Sequence, residues 1–434
     1  MEKKNRSTNN SKAGTPPDPQ GEPPRQQTGI PRKLTRFFYL LFLLAALASG
    51  FFWGRKSDGF PLKHPAESNG TGTVKLKPGP WGDLQTFPIT ISPPLEVLKV
   101  RGNEGPLKWF FRGYSRDNLA KLLGSLEMTA SQREQLLDPG SLKVTSKGIE
   151  ITPSSEVIFS LSPGGLRGLY GALGEFDEND FFRDAFLSED LDALEGKDIS
   201  KQSVSLIKKV SCPSGRHLIC YCTPFVLSKI SDYGERVSVA KALTRQKSML
   251  LRLKITPHSN INALTVYWGR AFLVSSVRTL LESIQKTPEG GEIGVITLLP
   301  PMPKSLLYTY ALPQSTSNGE TERRGGYWTS FNFFRDPPDP HFSEIGFISE
   351  KLKTEYYPIQ SDPLYGDVIC FAKPGGTIVH SAVYIADNIA YTKNGDAPWH
   401  PWMYSTLEDL TDIYSAGLPP GQTLTLQYFR NKYY

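Results

Sequence analysis

Residues 366–393 read GDVICFAKPGGTIVHSAVYIADNIAYTK, and the fold of the chain turns on them. GDVICFA and TIVHSAVYIA are apolar runs joined by Pro374, Gly375 and Gly376, and a third run, IAYTK, follows the turn residues Asp387 and Asn388. Strand-like runs separated by such turn residues predict an antiparallel meander. Upstream, Trp328, Phe331 and Phe334 recur at i, i+3 and i+6, which predicts a short helix stopped by Pro337 and Pro338. A second, amphipathic helix is expected over roughly 343–354. Downstream, TLEDLTDIY reads as a helix and TLTLQYFR as a last strand. Helix first and antiparallel sheet second is an α+β order.

Further out, between Trp81 and residue 300, strand-like runs such as TFPITISP and SLIKKV mix with helical patterns such as NLAKLLGSLEM at 118–128. This stretch also reads as α+β. It holds a weak echo: LLGSL at 122–126 precedes LSPGGLRGLY, which ends at Tyr170, and LLESI at 280–284 precedes LLPPMPKSLLY, which ends at Tyr308. The two spacings differ, so an old duplication and a chance likeness of Leu-rich helices both stay open.

The N-terminal end is of another kind. Residues 37–54, FFYLLFLLAALASGFFWG, carry no charge and would span about 27 Å as a helix, close to the hydrocarbon thickness of a bilayer. Arg32, Lys33 and Arg36 abut one end and Arg55 and Lys56 the other, so the positive-inside rule places the N-terminus in the cytoplasm. A single-pass anchor is expected, with the bulk of the chain outside the cell membrane. The competing reading is a secreted protein, because Ala46, Leu47 and Ala48 form a small-x-small cleavage site. The expected organisation is therefore a disordered basic tail at 1–36, a transmembrane helix at 37–54 and a linker at 55–80. An α+β middle domain of unknown role follows at 81–300, then a C-terminal domain at 301–434.

Of the net charge of +6, five units lie in the first 36 residues. The remainder is nearly neutral, which argues against nucleic acid as a partner. Four cysteines are too few for a disulfide-stapled scaffold. Cys212, His217, Cys220 and Cys222 fall within eleven residues, but Cys220 and Cys222 alternate along a strand after a PSGR turn, and an ordinary hairpin is expected rather than a metal site. No Walker loop, dinucleotide fingerprint or HExxH occurs, so no cofactor is expected.

Gly366, Asp367, Val368 and Ile369, then His380 opening HSAVYIADN, then YTKNG and PW, resemble the C-terminal half of the NlpC-type papain-like cysteine peptidases, a family of cell-wall endopeptidases. The resemblance covers residues 325–434. It implies a papain-like fold, a nucleophilic Cys at the start of a helix, a His at the head of the second strand as its base, and a polar residue about a dozen positions later to orient that His. The chemistry is physically coherent, since a thiolate needs a helix N-terminus or imidazolium beside it and the imidazole needs a partner to fix its tautomer. By count His380 matches the base, and Thr392 the orienting residue, with Asn394 as the neighbouring candidate.

The nucleophile position aligns with Gly326, or by a shift of one with Tyr327, and no cysteine lies between residues 223 and 369. Thr329 and Ser330 are the nearby hydroxyl alternatives, and Cys370 sits inside an apolar strand. The resemblance therefore implies a degenerate, non-catalytic domain that binds a peptide, peptidoglycan or protein partner at the cell envelope. Two alternatives remain: an active envelope hydrolase using a non-standard nucleophile, and a structural or assembly protein.

Overall fold

Sequence alternation builds the first sheet. In the computed structural model, which describes residues 73–98, 106–311 apart from 177, 180–182, 188–190, 192, 193 and 197, and 324–434 apart from 419 and 420, strand β1 (Val74–Lys75) leads into β2 (Asp83–Ile91). β1 lies within the stretch read as linker and pairs with Gln85 and Thr86. The transmembrane helix expected at 37–54 and the tail before it lie outside the described residues. Among the described residues no helix is long and apolar enough to cross a membrane.

After β2 the chain enters a lobe. Its elements are β3 (Trp109–Arg112), α1 (Arg116–Ser125), α2 (Ala130–Leu137), β4 (Leu142–Thr145), β5 (Gly148–Ile151), α3 (Ser155–Ser160) and α4 (Pro163–Leu173). β6 (Arg183–Leu187), α5 (Lys201–Lys209), β7 (Ser211–Ser214), β8 (His217–Tyr221), α6 (Thr223–Ser228) and α7 (Tyr233–Thr244) complete it. Caps start several of these helices: Thr129 and Gln132 form a reciprocal capping box at α2, and Ser162 accepts from the Gly165 N–H ahead of Pro163 at α4. SLIKKV, read as strand-like, is helical in α5. Its alternation is short, whereas Ser200 caps the segment and Val204 and Ile207 bury one helical face.

The chain then returns to where it left. β9 (Gln246–Ile255) pairs antiparallel with β2 along its whole length, from Ile91 opposite Gln246 to Asp83 opposite Lys254. α8 (Ile261–Trp268), α9 (Val274–Gln285), β10 (Gly291–Gly294) and α10 (Pro301–Leu306) follow, and the first sheet has the order β1-β2-β9-β10.

The C-terminal part comprises α11 (Gly326–Phe331), α12 (Ile345–Thr354), β11 (Tyr356–Pro358), β12 (Val368–Ala372), β13 (Ile378–Ala386), β14 (Ile389–Lys393), β15 (Trp402–Thr406), α13 (Leu407–Ser415) and β16 (Thr425–Asn431). Its antiparallel sheet has the order β11-β16-β12-β13-β14-β15. The meander β12-β13-β14 stands where the sequence predicts it, and the chain is α+β with antiparallel sheets. β15, WMYST, was not foreseen as a strand. α11 stops at Phe331, earlier than the aromatic spacing suggests, because Asn332 turns the chain: its amide donates to the Asp339 carbonyl at 3.0 Å and its Oδ1 accepts from the Asp339 N–H at 2.7 Å.

The cores divide the chain differently from a boundary near residue 300. One core belongs to the lobe and includes Trp109, Phe111, Leu169, Tyr221 and Leu243. A second runs from Leu76 and Leu84 through Leu253 and Trp268 to Phe333, Val383 and Tyr404, so the first sheet and the C-terminal sheet share one interior. Tyr267 donates to the Ile385 carbonyl at 2.8 Å across this junction.

Candidate functional site

The head of β13 and the start of α11 meet face to face. His380, opposite Phe371 in the β12-β13 pairing, turns its ring toward α11. A Cβ built on Gly326, the first residue of α11, would lie 2.4 Å from His380 Cε1, 2.7 Å from His380 Nδ1 and 2.9 Å from the Ser381 carbonyl oxygen. These are distances no real Cβ keeps, so only glycine lets the ring and the helix approach this closely.

The other ring nitrogen is occupied. His380 Nε2 lies 2.8 Å from Thr392 Oγ1 on the adjacent strand β14, a buried hydrogen bond. Thr392 is the partner of the two polar candidates; the side-chain amide of Asn394, although 8% exposed, has no hydrogen bond on either atom. Tyr414 of α13 stacks on the imidazole, with centroids 4.0 Å apart and planes 11° from parallel, and Phe371 packs 5.5 Å away. The ring is thus nearly enclosed, at 3% exposure.

Burial without a facing carboxylate pushes the His380 pKa down to about 3, so the ring is neutral at physiological pH. Thr392 can fix the ring's orientation but supplies no charge to stabilise an imidazolium.

The remaining nucleophile candidates are committed elsewhere. Tyr327 donates its hydroxyl to the Ile378 carbonyl at 2.8 Å. Thr329 donates to the Gly325 carbonyl at 2.7 Å and accepts from Trp402 Nε1 at 2.9 Å, and Ser330 donates to the Gly326 carbonyl at 2.8 Å. These hydroxyls bond back into their own helix, the usual resting place of a buried Ser or Thr. Cys370 is fully buried, which raises its thiol pKa to about 12.

No protein-family model, curated protein or solved structure matches this chain.

Asp367 is a buried hub of ion pairs. Its side chain is wholly buried and accepts from Arg270 Nη1 at 2.9 Å, from Arg430 Nε and Nη2 at 2.9 and 2.7 Å, and from the Leu364 N–H at 2.7 Å. Arg270 follows α8 and Arg430 lies on β16, so this carboxylate ties three distant segments together. Gly366 before it has φ +87°, and a Cβ there would strike Phe334 at 2.2 Å.

Two further residues escaped the sequence reading. Lys393, beside Thr392, is buried, donates to the Gly395 and Ala397 carbonyls at 2.8 Å each, and has its pKa lowered to about 7 by burial. Tyr414 could have been found, since it lies at i+4 from the buried Leu410 on the apolar side of α13. Cys212, His217 and Cys220 lie on the hairpin β7-β8, whereas Cys222 follows β8 with φ +61° at the start of α6 and does not alternate with Cys220 along the strand; all three thiols are buried, and Cys212 Sγ approaches the Pro163 carbonyl at 3.1 Å. Among the described residues no group of His, Cys, Asp or Glu is arranged to hold a metal ion.

Proposed function

We propose that the C-terminal part is a degenerate NlpC-type, papain-like domain that binds a peptide, peptidoglycan or protein partner outside the cell membrane without cleaving it. The observation that carries the reading is the contact of His380 with Gly326. The base and its orienting partner stand in the relation a nucleophile would need, and the position where that nucleophile belongs has no side chain. A neutral ring whose pKa lies near 3 is also a weak general base, because effective proton transfer calls for a pKa near the working pH. The membrane setting rests on the uncharged run at 37–54 and its asymmetric basic flanks.

The test is to incubate the purified chain with cross-linked peptidoglycan and with simple peptide substrates. The expected outcome is retention of the chain on sedimented peptidoglycan, or capture of an envelope protein, with no new cleavage products. Cleavage that disappears in His380→Ala would overturn the proposal.

A further inference from the structure

The turn between α8 and α9 is apolar where such turns are ordinarily polar. Ala271, Phe272, Leu273 and Val274 follow one another, and Leu273 holds the capping position of α9, a place that Ser, Thr, Asn and Asp favour. Phe272 is 59% exposed, Val274 47%, and Val266 of α8 77%. These three share one surface. Residues 269–273 join the helices, and Arg278 of α9 donates to Asn262 of α8 at 2.8 Å; one turn nearer the tip of the pair, Val266 comes opposite Val274. The last residues of the chain adjoin the same corner. Arg270, in the turn, donates to the Tyr434 carbonyl at 3.0 Å, and Tyr433 and Tyr434 are both exposed. Five of the eleven exposed large apolar or aromatic side chains among the described residues therefore gather here, unlike the scattered single ones that any surface carries.

Charge and chain path identify what covers the corner. Residues 260–281 and 427–434 contain no Asp or Glu. Of their four basic residues, Arg270 and Arg430 turn inward to Asp367, while Arg278, beside Glu282, and the exposed Lys432 stand at the rim. An apolar tip with tyrosines and cations around it matches the interface of a bilayer, where aromatic rings sit at headgroup depth and cations meet anionic lipid. The corner also adjoins the turn after β1. Trp268 Nε1 donates to the Trp81 carbonyl at 3.0 Å, and a Cβ on Gly82 would lie 2.7 Å from Leu264 of α8. Residues 55–73 alone separate the uncharged run at 37–54 from Val74 at the start of β1, and they can span at most about 65 Å.

We infer that this corner docks on the lipid surface of the membrane, with Phe272, Val274 and Val266 entering the headgroup region. The inference rests on the membrane setting proposed above and adds the face that the folded part turns to the bilayer.

The test uses the full chain carrying Phe272→Cys, labelled there with a fluorophore, the four native thiols being buried. It is reconstituted into phosphatidylcholine and phosphatidylglycerol vesicles in which a fraction of the acyl chains carry a nitroxide quencher. The label is expected to lose about half of its emission or more to the quencher, whereas the same label at Tyr233→Cys, exposed on α7, keeps its emission. The melting temperature of each labelled variant establishes that it is folded. A chain that floats with the vesicles but shows no quenching at position 272, or equal quenching at 272 and 233, overturns the inference and leaves the membrane anchor standing. A blue-shifted but unquenched label at 272 assigns the corner to a second copy or another protein, and overturns it too. A chain that does not float with the vesicles overturns the anchor and the docking together.

Discussion

Two buried polar centres lie on the same antiparallel sheet, and they are built on opposite terms. Asp367 is met on every side, by two arginines and a backbone N–H. His380 has surrendered its charge and keeps a single hydrogen bond, to Thr392, with an aromatic ring over one face and a bare glycine at its edge. The first arrangement is what a buried ion requires in order to hold segments in place. The second leaves hydrogen-bonding capacity unused.

The contrast can be broken most forcefully at the hub. Asp367→Ala strands two guanidinium groups that were buried with it, and should lower stability by about 3–5 kcal/mol, read from denaturant unfolding. A loss below about 1 kcal/mol would mean that Arg270 and Arg430 find water as easily as they found the carboxylate.

At the other centre, Gly326→Ala should cost about 1–3 kcal/mol, because the new Cβ must displace the His380 ring or the Ser381 carbonyl. By the same overlap, Gly326→Cys should confer no peptidase activity, as measured by peptide hydrolysis. Activity in that variant would show that the ring swings aside readily.

The neutral ring gives a pH signature of definite sign. The folded His380 titrates near 3 and the unfolded near 6.5, so between these values the unfolded state binds the extra proton. Its contribution is fully present above about pH 6.5 and is lost on acidification, by about 1.4 kcal/mol per pH unit below that point. Urea midpoints measured from pH 7 to pH 5 should show this slope, and His380→Gln should flatten it. The smallest effect is expected for Thr392→Val, about 1 kcal/mol, with the ring's orientation loosened in NMR spectra.

How far the sequence disclosed these centres follows from the range of the forces involved. The meander and the helix at TLEDLTDIY are local matters, fixed by turn residues and by residue periodicity, and they were legible, whereas the pairing of His380 with Thr392 came only from the count that the family resemblance supplied. The Asp367 hub was not, because its partners lie at positions 270 and 430 and nothing in their neighbourhoods announces the contact. SLIKKV misled because six residues can satisfy either period, and the Ser200 cap decided the matter.

The pairing of β2 with β9 bears on how the molecule comes to be. Ile91 and Gln246 are partners across the whole of the lobe, and joining them through an open polymer would carry the entropy of a very long loop. A lobe that condenses around its own interior delivers both ends side by side, so the sheet closes as though across a short turn. Residues in that lobe, far from either polar centre, would then set the pace at which the rest of the protein assembles.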